Sequence, residues 1–161
     1  MMSSEEIYNL ISEIPDPEIP VINIVELGVL RKVEVSNSEV VIYITPTYSG
    51  CPAMKQMEDD IVKLLNNKGF KKVVVKTVYQ PPWTTDWISK EARLKLFEYG
   101  IAPPLKTSQD KSLLYSIGKK IKCPRCKSSD TDLISQFGST ACKALYRCNA
   151  CLEPFDYFKC L

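Results

Sequence analysis

Residues 40–79 read VVIYITPTYSGCPAMKQMEDDIVKLLNNKGFKKVVVKTVY and decide the fold of the first half of the chain. Residues 40–45 and 70–79 are rich in β-branched side chains, which favour β-strands. Between them, residues 52–68 carry apolar side chains at helical spacing with charged residues between them, and Gly69 ends the pattern. The stretch therefore predicts a strand, an amphipathic helix and a second strand.

The residues upstream add one helix and one strand. Ser3 or Ser4 can cap a helix of about ten residues that Pro15 ends. Residues 15–27 contain three prolines, which prevent a regular central strand and instead predict an extended, ordered loop. Residues 29–35 are again rich in β-branched side chains and predict a strand that forms a hairpin with the next one.

The residues downstream add a last helix, which Thr84 or Thr85 caps and Gly100 ends. Trp83 and Trp87 favour hydrophobic anchoring of this helix over an exposed aromatic docking face. The predicted order is α-β-β-α-β-α. We therefore expect an α+β fold in which helices pack on a small mixed sheet, followed by a separate C-terminal module.

Composition limits the chemistry that the chain can perform. It has 161 residues, of which 45% are hydrophobic, and a net charge of +2, which gives little electrostatic reason to expect nucleic acid as the main partner. It contains no histidine, so catalytic triads and histidine-ligated zinc are excluded from this chain. The acidic N-terminus and the lack of a long apolar run predict a cytoplasmic protein without a membrane segment.

The chain is expected to divide into two domains. Residues 1–104 form the α+β domain, residues 105–120 have the composition of a linker, and residues 121–161 form a small module. A module of this length buries too little apolar surface to fold alone, so it needs a metal or disulfide clamp.

Four cysteines supply that clamp, in two CxxC motifs separated by 21 residues: Cys123, Cys126, Cys148 and Cys151. Two such motifs bring four thiolates to one tetrahedral ion, and the spacing is that of a zinc ribbon. Two disulfides, or reduced thiols in a small core, are the alternatives. We expect zinc binding to supply the folding energy of this module.

Two further cysteines of the module, Cys142 and Cys160, lie outside the CxxC motifs. They can be partly buried free thiols, since cysteine is a common small core residue. Alternatively, Cys142 is a transient ligand or an interface thiol beside the cation of Lys143.

Cys51 is the one cysteine of the first domain. Pro52 suits the first position of the predicted helix, which places Cys51 at the N-cap. Unpaired N–H groups and the helix dipole at this position favour a thiolate. Such a thiolate can be one ligand of an iron–sulfur cluster shared across a homodimer or with a client protein; a buried packing cysteine is the alternative. Asp16 and Glu18, on the proline-stiffened loop, form either a surface turn or a wall of a pocket next to Cys51.

These motifs resemble a known family. The loop from Asp16 to Gly28 and the motif Thr47-x-x-x-Cys51-Pro52 are similar to the domain shared by SufT and the eukaryotic cytosolic iron–sulfur assembly targeting subunit. The strings TPTYSGCPA, WTTDW, YGIAPP and FGSTACKALYRC resemble the PaaD (also called PaaJ) family of aerobic phenylacetate degradation. The resemblance covers both domains.

The resemblance implies an accessory protein, not itself catalytic, for iron–sulfur or metal maturation of the multicomponent phenylacetyl-CoA epoxidase. It implies that Cys51, Asp16, Glu18 and Thr47 bind a cluster or another iron cargo transiently, and that the partner is the [2Fe–2S] reductase or the oxygenase. The alternative is a structural subunit of the epoxidase complex, in which Cys51 has no exchange role.

Overall fold

The computed structural model describes residues 2–37, 39–105 and 120–159. The chain forms two compact units, Met1–Trp83 and Thr84–Leu161. This division falls earlier than the domain boundary that the sequence predicts after residue 104. Most of the predicted linker, residues 106–119, lies outside the described residues, as does Cys160.

The first unit contains two helices and three strands in the predicted order. They are α1 (Ser4–Ile11), β1 (Leu30–Val35), β2 (Val40–Ile44), α2 (Ala53–Asn67) and β3 (Val73–Thr77). The sheet has the order β1-β2-β3; β1 pairs antiparallel with β2, and β3 pairs parallel with β2. The predicted α+β fold with a small mixed sheet is therefore confirmed.

Helical spacing explains which side chains of the first unit enter its core. Met57, Ile61 and Leu65 of α2 recur every four residues and are buried, as are Ile7 and Ile11 of α1. A capping box begins α1. The Ser3 hydroxyl accepts the backbone N–H of Glu6, and the Glu6 carboxylate accepts the backbone N–H of Ser3.

The proline-rich loop belongs to the same core. Ile19, Ile22, Ile24 and Leu27 are all buried, although they form no regular strand. The Trp83 indole Nε1 donates to the carbonyl of Leu27 at 2.9 Å. Trp83 therefore anchors this loop within the first unit.

The second unit begins with the last predicted helix, which is shorter than expected. Thr85–Trp87 make a single 3₁₀ turn, and α3 spans Lys90–Tyr99. The helix is interrupted because Ile88 is extended and the Ser89 hydroxyl caps the N–H of Ala92 at 3.0 Å. Gly100, at φ 101°, ends α3 in the left-handed conformation.

A four-stranded sheet forms the rest of the second unit. Its strands are β4 (Ile101–Ala102), β5 (Thr131–Ser135), β6 (Lys143–Cys148) and β7 (Pro154–Phe158). The order is β4-β7-β6-β5, with β4 parallel to β7 and the other pairs antiparallel. Because β4 pairs with β7 and buries Ala102 in the ribbon core, residues 84–105 fold with the ribbon.

The described helices include none that is long and apolar enough to span a bilayer.

Candidate functional site

The two CxxC motifs place four sulfurs at one end of the ribbon. All four Sγ atoms lie within 4.8 Å of one another. Cys123 Sγ is 3.8 Å from Cys151 Sγ, and Cys126 Sγ is 3.4 Å from Cys148 Sγ. Four bonds of ~2.3 Å to a tetrahedral ion separate the sulfurs by about 3.8 Å. The geometry therefore fits one thiolate-bound metal ion.

Similar backbone turns hold both motifs. The N–H of Cys123 donates to the carbonyl of Ser128 (2.9 Å), and the N–H of Cys148 donates to that of Glu153 (3.0 Å). The residue after the second cysteine of each motif has a positive φ, which is 65° at Lys127 and 63° at Leu152. A left-handed backbone is unfavourable for such side chains, so both turns are held in a strained form by their surroundings.

The residue types at these two positions do not reveal the left-handed backbone. Glycine after the second cysteine would have indicated it, but lysine and leucine carry no such signal.

The charges of the sulfurs depend on their neighbours. The pKa of the Cys148 thiol is lowered from 9.0 to about 7, mainly because the backbone N–H of Cys151 donates to its sulfur. At Cys151 the Glu153 N–H also favours the thiolate, but burial and the three adjacent sulfurs outweigh it and raise the pKa to about 12. Sulfurs this close cannot all ionise unless a cation compensates their charge.

The site is a closed one. Cys123 and Cys148 are buried, and only Cys126 of the four is exposed. Four protein ligands leave no open position for substrate, which is typical of structural rather than catalytic metal sites.

Cys142 lies outside this cluster, at the end of β6 away from Cys148. It is buried, with Sγ 3.1 Å from Thr140 Oγ1, and its carbonyl accepts the N–H of Lys159 at 2.9 Å. These contacts place it in the packing of the hairpin end. The alternative role of Cys142 as a transient ligand stays a prediction.

Cys51 lies on the turn that leads into α2. Its N–H donates to the carbonyl of Tyr48 and its carbonyl accepts the N–H of Met54, both at 3.3 Å. Pro52 occupies the N-cap, one residue after the expected cap, because the helix begins at Ala53. The Cys51 side chain is half-buried.

The start of α2 has no side-chain cap and no acidic residue in its first turn. Apart from the Met54 N–H, which donates to the Cys51 carbonyl, the backbone N–H groups of this turn present partial positive charge. Such an environment next to Cys51 suits an anionic ligand.

The acidic loop uses one of its carboxylates to shape itself. Asp16 is only 4% exposed, and its Oδ1 accepts the N–H groups of Glu18 (2.9 Å) and Ile19 (2.6 Å). In the same loop, Asn23 Oδ1 accepts the N–H groups of Val25 and Glu26, and the Glu26 carboxylate accepts the N–H of Asn23. Asp16 therefore has a structural role in this loop, which its sequence context did not predict.

The structure does not unite all of the predicted site residues. Within residues 2–37, 39–105 and 120–159, the ribbon cysteines are the one set of at least three Cys, Asp or Glu side chains close enough to share an ion. Cys51, Asp16 and Glu18 thus form no three-ligand metal site. Thr47 is half-buried on the strand-to-helix loop that also carries Cys51. The cargo-binding role of these four residues stays a prediction.

Two family models match the chain. Residues 4–77 match the model described as iron-sulfur cluster assembly protein, and this region contains Cys51 and the acidic loop. Residues 107–159 match the PaaD zinc beta ribbon domain, which contains the four clustered cysteines.

Individual relatives agree with this division. The chain is 51% identical to a putative 1,2-phenylacetyl-CoA epoxidase subunit from Escherichia coli (strain K12), over 97% of this chain and 92% of that protein. It is 34% identical to an Fe-S protein maturation auxiliary factor of Porphyromonas gingivalis (strain ATCC BAA-308 / W83), over 60% of this chain and 92% of that protein.

A solved structure shares the fold of part of the chain. The crystal structure of a DUF59 domain of unknown function from Bacillus anthracis superposes with a TM-score of 0.54 at 31% identity, covering 58% of this chain and 90% of that one. The resemblance found in the sequence motifs is confirmed by these matches. The chain therefore belongs to the PaaD family, with an iron–sulfur assembly-type region followed by a zinc beta ribbon region.

Proposed function

We propose that this protein is an accessory factor for iron–sulfur or metal maturation of a multicomponent phenylacetyl-CoA epoxidase, and is not itself an enzyme. The observation that carries the proposal is the near full-length similarity to a putative epoxidase subunit, in a chain that joins an iron–sulfur assembly-type region to a four-thiolate ribbon. A cytoplasmic location is part of this proposal.

In this role the first unit handles the cargo. Cys51 supplies a sulfur ligand to an iron or iron–sulfur species, since its side chain is half-buried and the start of α2 beside it has no side-chain cap. Asp16 holds its own loop in shape by accepting the N–H groups of Glu18 and Ile19. Because one chain offers a single cysteine here, the remaining cluster ligands come from a second copy or from the client.

The ribbon holds zinc and handles the client. Four thiolates in a closed, tetrahedral arrangement suit zinc, which has no redox chemistry and stabilises small folds. The client is one of the epoxidase proteins, either the [2Fe–2S] reductase or the oxygenase.

Ion pairs between basic and acidic side chains of the ribbon favour a protein client over nucleic acid. Lys120 pairs with Asp130 and Asp132, and Arg125 lies 3.8 Å from Glu153. These acidic neighbours partly neutralise Lys120 and Arg125, which weakens their attraction for phosphate.

The second candidate function is a structural subunit of the epoxidase, which the name of the Escherichia coli relative favours. Co-purification stoichiometry distinguishes the two. A maturation factor is expected in substoichiometric amounts in the active complex, which keeps its activity after the factor is removed. A fixed stoichiometric presence, with loss of activity on removal, would instead identify a structural subunit.

A further inference from the structure

The second unit contains an open groove of about 600 Å³ that the metal cluster does not use. One wall is α3, with Leu94 and Phe97, and the other is the segment around Pro103 and Leu105 with Ile121. The lining is mostly apolar. Its volume lies within the range of known ligand-binding clefts, about 300–1,000 Å³.

The charged side chains that the structure describes in this groove are all basic. Lys90, Arg93 and Lys122 contribute to the lining, and none of the described lining residues is acidic. The Arg93 guanidinium donates to the carbonyls of Pro104 (2.5 Å) and Thr85 (2.6 Å), so no carboxylate neutralises it through these contacts. The groove therefore combines an apolar floor with positive potential.

Two features suit the groove to binding. The bond from Arg93 to the Pro104 carbonyl joins α3 to the opposite wall, which fixes the two walls before any ligand arrives. Leu94 is 65% exposed at the edge of the groove, although it belongs to a helix whose core face is formed by Ala92 and Leu96. A large apolar side chain exposed beside an apolar cleft is typical of an interaction surface.

We propose that this groove, lined by α3 and the segments at residues 102–105 and 121–122, binds an acidic, apolar segment of a client protein. An open groove admits a chain passing through it. Apolar side chains would cover Leu94 and Phe97, while carboxylates would meet Lys90 and Lys122. This inference rests on the proposed accessory function and identifies the surface by which the client is held.

The test uses the full-length protein and purified epoxidase subunits, with affinity measured by biolayer interferometry at low and high salt. One variant reverses two exposed charges (Lys90→Glu with Lys122→Glu), and a second places a charge on the apolar edge (Leu94→Asp). The matched control, Lys63→Glu with Lys71→Glu, makes the same change in net charge outside the groove. Bound zinc and amide spectra establish that each variant is folded.

We expect each groove variant to bind a client protein at least about tenfold more weakly than the wild type. The control is expected to bind as the wild type does. The wild-type affinity falls with salt, and the Lys90→Glu, Lys122→Glu variant loses most of that dependence.

Wild-type affinity in the folded groove variants, or an equal loss in the control, would overturn the groove proposal while leaving the accessory function intact. If the wild type itself bound none of the epoxidase subunits, both the groove proposal and the proposed function would fail.

Discussion

Replacing Cys148 by serine is expected to unfold the second compact unit. Cys148 is 0% exposed, and its sulfur lies 3.4 Å from that of Cys126. Structural zinc contributes about 10–16 kcal/mol to the folding of small zinc-binding peptides. The whole net stability of a domain is only about 5–15 kcal/mol. A ribbon that loses its zinc together with this ligand therefore loses about as much free energy as the whole net stability of a domain.

The loss should extend beyond the ribbon itself. Strand β4 pairs with β7, and the Leu105 N–H donates to the Tyr157 hydroxyl at 3.2 Å. Residues 101–105 should therefore lose their structure together with residues 120–159. The Met1–Trp83 unit has its own core and should remain folded.

Cys142→Ser is the matched control, since it also replaces a buried sulfur by oxygen and lies in the same unit, next to the start of β6. Cys142 is 5% exposed, and a serine hydroxyl can keep the contact with Thr140 Oγ1. Its destabilisation should be about 1 kcal/mol, with zinc retained. Zinc content and amide nuclear magnetic resonance spectra test both variants. If Cys148→Ser kept a dispersed, metal-free ribbon spectrum, the claim that zinc holds this unit together would be wrong.

Three further predictions concern stability and metal binding. Leu152→Gly should raise the melting temperature slightly. Glycine relieves the strain of the left-handed backbone at φ 63° (about 1–2 kcal/mol), which exceeds the entropy that glycine adds to the unfolded chain (about 0.5–1 kcal/mol). A lower melting temperature would contradict this. Trp83→Phe should lower the free energy of unfolding of the first unit by about 1–3 kcal/mol, because the hydrogen bond to the Leu27 carbonyl is lost. Urea unfolding measures this change, and an unchanged urea midpoint would contradict it. Zinc should be held at neutral pH and released to a metallochromic dye as the pH falls from about 7 to about 4, because protons compete with the metal for the thiolates. Cys151, with a metal-free pKa of about 12, is readily reprotonated. Zinc retained throughout this range would contradict the prediction.

Local patterns predicted most of the first unit. The spacing of Met57, Ile61 and Leu65 indicated α2, and β-branched runs indicated the strands that flank it. The interruption of the last helix at Ile88 was missed, because Ser89 provides a competing cap within an otherwise helical pattern. Strand β4 was also missed, because its two residues pair with a strand more than fifty residues away and have no local signal of their own.

The sequence predicted only the part of the candidate site that depends on the spacing of the cysteines along the chain. The two CxxC motifs predicted the cysteine cluster, since each turn directs two sulfurs to one point. The left-handed residues Lys127 and Leu152 were not predictable, because their conformation is imposed by the turns that surround them. The contacts of Asp16 with Glu18 and Ile19 likewise depend on how the loop folds, which residue types alone do not determine.

The maturation function depends on the transfer of iron or a cluster from Cys51 to the epoxidase. It is tested most directly by the iron content and activity of epoxidase subunits produced with the wild type, with Cys51→Ala and without this protein. Since Cys51 is half-buried on a turn, alanine should leave the fold and client binding intact. We expect subunits produced with Cys51→Ala to bind the protein normally but to be as deficient in iron and activity as those produced without it. Full iron content and activity with Cys51→Ala would contradict the maturation function and favour the structural-subunit alternative.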